Sequence, residues 1–384
     1  MVHILDLYCG MGGLSLGFAL ALKDAEITGL DIDRDAVETY NLNLNRLGCR
    51  ALIQDVLKWS PSGNYDVVVG GSPCQPFSIA NNRKPGERHP LFPTFPRFFD
   101  VVLALKPKLF LLENVRGLLM RRNKHYFERE IARISRDYVV EWRILNAVDY
   151  GVPQQRKRLI VIGVRMDLGE RPLFPEPTHA EKETVRLDGR RLHRWLTLGE
   201  TIGDLLAVPP YEGKKPLIPD HVMTPGGGWD NPRSDWGSRV MDPGKPAHTI
   251  TEKHRSGQLV PIPPAPSTTL SKPSPSLVAD ARIYATGRRE HGKDVEKGCY
   301  RRLTVRECLR IQSFPDWWRF PDHVSVSKRY RLVGEAVPPV FAYRLAVAVA
   351  RTLGLETREP PREEEWQLPY FRCVFADYFA GRPA

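Results

Sequence analysis

Cysteine is scarce in this chain: six residues among 384, at positions 9, 49, 74, 299, 308 and 373, with no C-x-x-C pair. So few thiols, so widely spread, exclude a disulfide framework and suit a reducing cytoplasm, where each stays free. No pair among His248, His254, Cys299 and Cys308 has zinc-ligand spacing, so no metal site is expected. An uninterrupted apolar run of membrane-spanning length is also missing, and residues 1–6 carry no basic stretch. Export and membrane insertion are therefore not expected. No internal repeat is visible, which excludes a solenoid. Acidic charge is in deficit, with 45 Asp and Glu against 56 Lys and Arg and a net charge of +11. A basic surplus of that size suits a polyanionic partner such as nucleic acid; the bland alternative is charge that merely solubilises.

At 384 residues the chain is long enough for two domains. Short apolar, β-branched runs at 3–8, 27–31, 51–54, 66–70, 109–113, 142–147 and 159–164 read as strands. Amphipathic stretches at 14–22, 34–43, 98–105 and 126–136 read as helices between them. Near-continuous apolar strands separated by helices predict an α/β, doubly wound, mainly parallel sheet covered on both faces. Residues 181–300 change texture, holding 14 of the 34 prolines and 13 of the 30 glycines. That concentration predicts a second, smaller, loop-rich domain, with a flexible linker as the alternative. Helical periodicity returns at 304–311 and 340–353, and the aromatic tail after 356 is expected to pack back onto the fold.

Two strand ends carry chemistry. The first strand runs into Asp6-Leu-Tyr-Cys-Gly-Met-Gly-Gly and then a helix, placing glycines where the backbone must turn tightly near a ligand. Asp31 ends the second strand, 21 residues after Gly10, where a carboxylate can accept from ribose hydroxyls; Asp55, after the third, is placed to meet an adenine amino group. These features fit NAD and S-adenosylmethionine equally well. After the fourth strand comes Gly-Ser-Pro-Cys-Gln-Pro-Phe-Ser at 71–78, with Cys74 in a proline-stiffened turn at the carboxyl end of a parallel strand. A lone cysteine is usually a small buried hydrophobe, but this setting is too polar for a core strand. A free thiol of pKa about 8.5 is only slightly ionised at neutral pH, so activation must supply on the order of 2 kcal/mol, from nearby cations or a helix N-terminus.

The segment around Cys74 resembles the nucleophile motif of the C5-cytosine DNA methyltransferases, in particular the prokaryotic modification methylases. Five further segments resemble that family's motifs in the same order: the cofactor loop from Asp6, Glu113-Asn-Val, Gln154-Gln-Arg-Lys-Arg, the late Arg-x-Leu-Thr-x-Arg-Glu and Gln-x-Phe-Pro-Asp stretch from Arg302 to Asp316, and Gly334-Glu-Ala-Val-Pro. The resemblance implies a Rossmann-like methyltransferase sheet and methylation of carbon 5 of a flipped cytosine in duplex DNA, with S-adenosylmethionine as donor. It implies Cys74 as the thiolate that adds to carbon 6 and Glu113 as the acid at ring nitrogen 3. Arg156 and Arg158, alternating on an extended segment, would share a face and hold the base O2 and a flanking phosphate. Cofactor contacts are expected from Tyr8, Cys9, Gly10, Met11, Gly13, Asp31, Ile32, Asp55, Val56, Pro73, Glu335, Ala336 and Val337. DNA contacts are expected from Gln75, Ser78, Arg83, Lys84, Arg88, Gln154, Thr249, Thr251, Arg288 and Arg289, with Arg282 a further candidate. The basic, proline-rich stretch 79–97 is expected to form a loop that closes over bound DNA.

By position, residues 1–180 correspond to the catalytic, cofactor-binding domain, 181–324 to target recognition and a hinge, and 325–384 to a segment completing the catalytic domain. One departure stands out: Glu335 occupies a place where the family has Asn, so it is carried over only as a contact candidate. The reading implies a cytoplasmic monomer with a restriction–modification role, a cognate endonuclease as partner, and no metal or membrane. Rival readings are a relative acting on transfer RNA, a catalytically silent DNA-binding relative, and an NAD dehydrogenase, which leaves the cysteine motif unexplained.

Overall fold

The computed structural model describes residues 1–78, 86–206, 211–212, 215–216, 239–240, 245–248, 258–261 and 300–379. Arg83, Lys84, Thr249, Thr251, Arg282, Arg288 and Arg289 lie outside the described residues. Strands β1 (Val2–Leu7), β2 (Ala25–Asp31), β3 (Cys49–Ile53), β4 (Val67–Gly70) and β5 (Leu109–Val115) are mutually parallel. Beyond them lie β6 (Tyr138–Asn146), the two-residue β7 (Gln154–Gln155) and β8 (Lys157–Arg165). The central sheet has the order β3-β2-β1-β4-β5-β8-β6, with β8 antiparallel to both neighbours. Strand β6 starts before the expected 142–147 because Tyr138 is buried and its hydroxyl donates to the Pro107 carbonyl at 2.9 Å.

Alternate residues of each central strand enter different cores. Ile4, Val67, Val69, Leu109 and Leu111 face one apolar cluster, and Leu5, Leu7, Val68, Phe110 and Leu112 the other. This two-sided burial is the physical reason the strands lack polar alternation. On the first face α1 (Gly13–Ala21) packs against α8 (Pro339–Leu353). Their backbones approach so closely that a Cβ on Gly17 would stand 2.4 Å from Ala342 Cβ. The helical run 326–353 is long and apolar enough to cross a membrane by composition, but 89% of its apolar window is buried inside this core.

The opposite face is covered by α3 (Thr94–Leu105) and α4 (Lys124–Ile134). Helix α3 begins within the stretch expected as loop, because Pro93 and Pro96 fall at its cap and first turn, where a missing N–H costs little. The strand order reverses between β1 and β4, and ligands of such sheets bind outside the carboxyl ends of the strands at that switch point.

Between residues 181 and 302 the described residues form short strands and α5 (Leu198–Leu206). The chain then returns through α6 (Val305–Ile311), capped by a reciprocal box between Thr304 and Glu307. Arg306 is buried against the Trp318 carbonyl at 2.8 Å, and Arg310 grips Asp316 and Asp204. Thr304, Arg306, Glu307 and Arg310 thus each hold the local fold. Helix α7 (Val326–Glu335) leads into α8. The tail does pack back: Trp366 and Phe375 are buried beside Tyr343, and Arg344 pairs with Asp377 at 2.6 and 2.8 Å.

Candidate active site

Residues 8–13 turn the chain from β1 into α1 through left-handed backbone at Tyr8, Gly10 and Gly12. The Asp31 carboxylate closes this turn, accepting from Gly10 N at 2.8 Å and from Asp33 N at 2.8 Å. Burial pushes its pKa up against those bonds. A Cβ on Gly10 would meet nothing within 4 Å, so open space lies over the turn. A Cβ on Gly13, by contrast, would stand 2.1 Å from the Val337 carbonyl oxygen, which docks the Ala336–Val337 turn against the glycine loop. Ile32 is 67% exposed beside this space, and the Asp55 carboxylate accepts from Leu57 N at 3.0 Å. Cys9 is buried with its sulfur tucked against Gly29, Met11 and Val56 are buried, and the Tyr8 hydroxyl donates to the Thr94 carbonyl at 2.8 Å. Of these, Cys9, Met11, Gly13, Val56 and Val337 can present only backbone or a small edge.

Beneath the loop, Asp6 is fully buried. One carboxylate oxygen accepts from the Ser15 hydroxyl at 2.6 Å, the other has no hydrogen-bond partner, and burial raises the pKa to about 7.

The turn after β4 is held from three sides. Asn114 donates to the Ser72 carbonyl at 3.1 Å and to its hydroxyl at 3.0 Å, Phe77 is buried edge-on against Phe92 and Phe95, and Gly86 N donates to the Pro76 carbonyl at 2.9 Å. Cys74 sits partly shielded between those anchors. From β5, the Glu113 carboxylate comes within 3.2 Å of where a Gly71 Cβ would stand, at the entrance to the same turn. From β8, Arg158 Nε lies 2.8 Å from Glu113 Oε1, a pair in which both side chains are largely buried. The register that sets Val115 opposite Arg158 makes this meeting possible. The Cys74 thiol feels burial first, then Arg158, Glu113, Arg156 and Glu335, and the balance raises its pKa. The expected cations are present, but they do not outweigh burial and two carboxylates. The resting group is the protonated thiol.

The Gln154–Arg158 segment is anchored inward at two points. Gln154 is fully buried and its amide meets the Gln312 side chain at 3.4 Å. Arg156 and Arg158 both bear electrostatically on Glu113 and Cys74, but the hydrogen bonds of Arg156 go to backbone. Its buried guanidinium donates to the Gly334 carbonyl at 3.2 and 3.3 Å and to the Ala336 carbonyl at 2.9 Å. Burial and Arg158 lower its pKa, and it binds the closing motif to the nucleophile side of the sheet. Strand β7 pairs in parallel with residues Ala247–His248, so the chain leading to Thr249 starts beside the active-site strands.

Several participants carry no motif of their own. Asp33, capping α2 (Arg34–Leu44), pairs with Lys328 and, at 2.5 Å, with Arg331 of α7; Arg331 also reaches Glu335 at 3.8 Å. The unusual Glu335 is therefore part of a charged strip between α7 and the β2–α2 turn. Arg97, expected in the DNA loop, instead donates from α3 to the Val56 and Trp59 carbonyls. Arg88 is exposed, and Gln75 and Ser78 lie in the nucleophile turn. Pro73 is half-buried next to Cys74 in the same turn. Among the described residues no cluster of His, Cys, Asp or Glu is arranged to hold a metal.

The family model for C-5 cytosine-specific DNA methylases matches residues 2–351. The Type II methyltransferase M.AplI of Arthrospira platensis is 32% identical over 381 residues, covering 96% of this chain and 92% of its own. The Type II methyltransferase M.BspRI of Lysinibacillus sphaericus is 32% identical over 388 residues, covering 91% of this chain and 81% of its own. Among solved structures, the S. pombe Dnmt2 methyltransferase matches with a TM-score of 0.59 at 18% identity, over 92% of this chain and 100% of that one, a likeness of fold.

Proposed function

The chain belongs to the C-5 cytosine-specific DNA methylase family, and from that premise we propose that it methylates carbon 5 of a flipped cytosine in a short duplex site through a covalent adduct of Cys74 with carbon 6. The observation that carries this reading is the Arg158–Glu113 pair beside the Cys74 turn. The target carbon lies inside the base stack, so the nucleotide has to leave the duplex to reach a pocket at the strand ends.

The chemistry of the base sets the roles. Carbon 5 is a weak nucleophile until a thiolate adds to carbon 6. As the sulfur–carbon bond forms, electrons move onto ring nitrogen 3, where Glu113 delivers a proton. Arg158 holds Glu113 in place and faces the Cys74 sulfur, stabilising the thiolate once the proton has left. Arg156 fixes the Gly334–Ala336 backbone and adds a second positive charge that favours the thiolate. After methylation the carbon-5 proton leaves, with water as a candidate base, and Cys74 is eliminated.

The residues present fit S-adenosylmethionine, which supplies the electrophilic methyl group. Gly10 leaves open space over its turn, Asp31 borders it with a carboxylate, and Ile32 offers an exposed apolar face. Tyr8, Pro73, Asp55 and Glu335 border the same strand ends as further contacts. Residues 1–180 carry catalysis, 181–324 target recognition and a hinge, and 325–384 complete the catalytic domain. The Type II methyltransferase relatives support a restriction–modification role; a cognate endonuclease as partner and action as a cytoplasmic monomer complete the proposal.

Expression in a methylation-free host followed by bisulfite sequencing tests the reading. A single short motif bearing 5-methylcytosine is expected; unmodified DNA throughout would overturn it.

A further inference from the structure

Immediately after Glu113-Asn114-Val115 the chain forms a short, rigid ledge on the active-site edge of the sheet. Residues Arg116–Leu119 make a 3-10 turn whose Leu118 is fully buried, and the Asn123 side chain locks it by donating to the Gly117 carbonyl at 2.8 Å. Exposed on this scaffold are Arg116, Met120, Arg121 and Arg122. Arg122 reaches back to the Ser78 carbonyl at 3.2 Å, and the Tyr126 ring abuts the place where a Gly86 Cβ would stand. The Ser78 end of the nucleophile segment therefore rests on the ledge, and the Gly86 end on the helix that follows it. Neighbouring acids are engaged elsewhere: Glu128 pairs with Lys124 at 2.6 Å and Glu87 with Arg129 at 3.7 Å. Arg116 and Arg121 form no ion pair among the described residues.

Two uncompensated guanidinium groups, held out from a rigid turn beside the Cys74 segment, suit a row of phosphates. We propose that Arg116 and Arg121 are a phosphate-contacting ledge for the DNA backbone flanking the target cytosine, a surface that positions the duplex without reading its sequence. This rests on the DNA-methylating role proposed above. The basis is electrostatic: each phosphate neutralised releases condensed counterions, and the planar guanidinium fork matches phosphate geometry.

The test compares Arg116→Ala/Arg121→Ala with wild type and with Lys106→Ala/Arg136→Ala, which removes two cations from the opposite edge of the sheet. Affinity for a duplex carrying the mapped site is measured from low to high salt. The ledge variant is expected to lower the slope of log affinity against log salt by about 1.8, at about 0.9 per contact, so that it loses roughly tenfold less affinity than wild type over a fourfold rise in salt. Its preference among DNA sequences and its S-adenosylmethionine affinity should be unchanged, which also reports correct folding. The opposite-edge variant should keep the wild-type slope. An unchanged slope in the ledge variant, or an equal drop in both variants, overturns the proposal. A wild-type protein with no salt-dependent affinity for DNA would overturn the underlying reading instead.

Discussion

Arg158 Nε stands 2.8 Å from Glu113 Oε1, joining a residue of β8 to one of β5 directly above the turn that carries Cys74. The pair places a fixed acid and a fixed cation within electrostatic reach of a single sulfur. Glu113→Gln keeps the shape and a hydrogen bond but cannot deliver a proton. It should lower kcat by roughly 100-fold or more while leaving S-adenosylmethionine binding nearly intact. Steady-state methyl transfer alongside calorimetric cofactor binding checks this. An unimpaired kcat would remove Glu113 from the reaction.

The thiol of Cys74 is raised by burial and by Glu113 and Glu335, and lowered by Arg158 and Arg156. Its thiolate fraction, and hence its rate of alkylation, should climb with pH and reach its plateau above that of a free cysteine. Removing a carboxylate (Glu335→Gln) should move the profile to lower pH, and removing a cation (Arg158→Ala) to higher pH. Iodoacetamide labelling followed by mass spectrometry reads the shift site by site. Shifts in the reverse sense would mean that the charges act on Cys74 through some rearrangement.

Buried Arg156 satisfies two carbonyls of the closing motif, and truncation leaves both without that donor. Arg156→Ala should cost about 2–4 kcal/mol and lower Tm by several degrees. Because the closing motif sits against Gly13, cofactor KM should rise as well. Thermal unfolding and KM measured on one preparation test both halves, and a variant as stable as wild type contradicts the assignment.

Asp6 has a folded pKa of about 7, far above the ordinary value of about 3.9. The folded chain then keeps a proton that the unfolded chain releases. Stability from this group is full below about pH 4 and falls as pH rises toward 7, by up to about 4 kcal/mol. Asp6→Asn, which can still accept from Ser15, should flatten that part of the stability curve. Denaturant melts between pH 4 and 7 give the comparison; parallel curves for the two proteins would show that Asp6 ionises normally.

Much of this was legible in residue order. Apolar strands buried on both faces announced a covered parallel sheet, because no polar alternation is tolerated there. Gly10 and Gly12 marked a left-handed turn, and prolines around Cys74 marked a stiff loop at a strand end. These are local constraints, and local pattern encodes them. The backbone contacts of Arg156 and the burial of Gln154 depend on partners 178 and 158 residues away. The pairing of Asp33 with Arg331 spans 298 residues, and the raised thiol of Cys74 reflects first its burial and then carboxylates brought in by β5 and α7. The chain's own order therefore determined which groups stand at the strand ends. Packing alone decided which of them face the sulfur and which hold the backbone, since burial and long-range charge exist only once the sheet has closed.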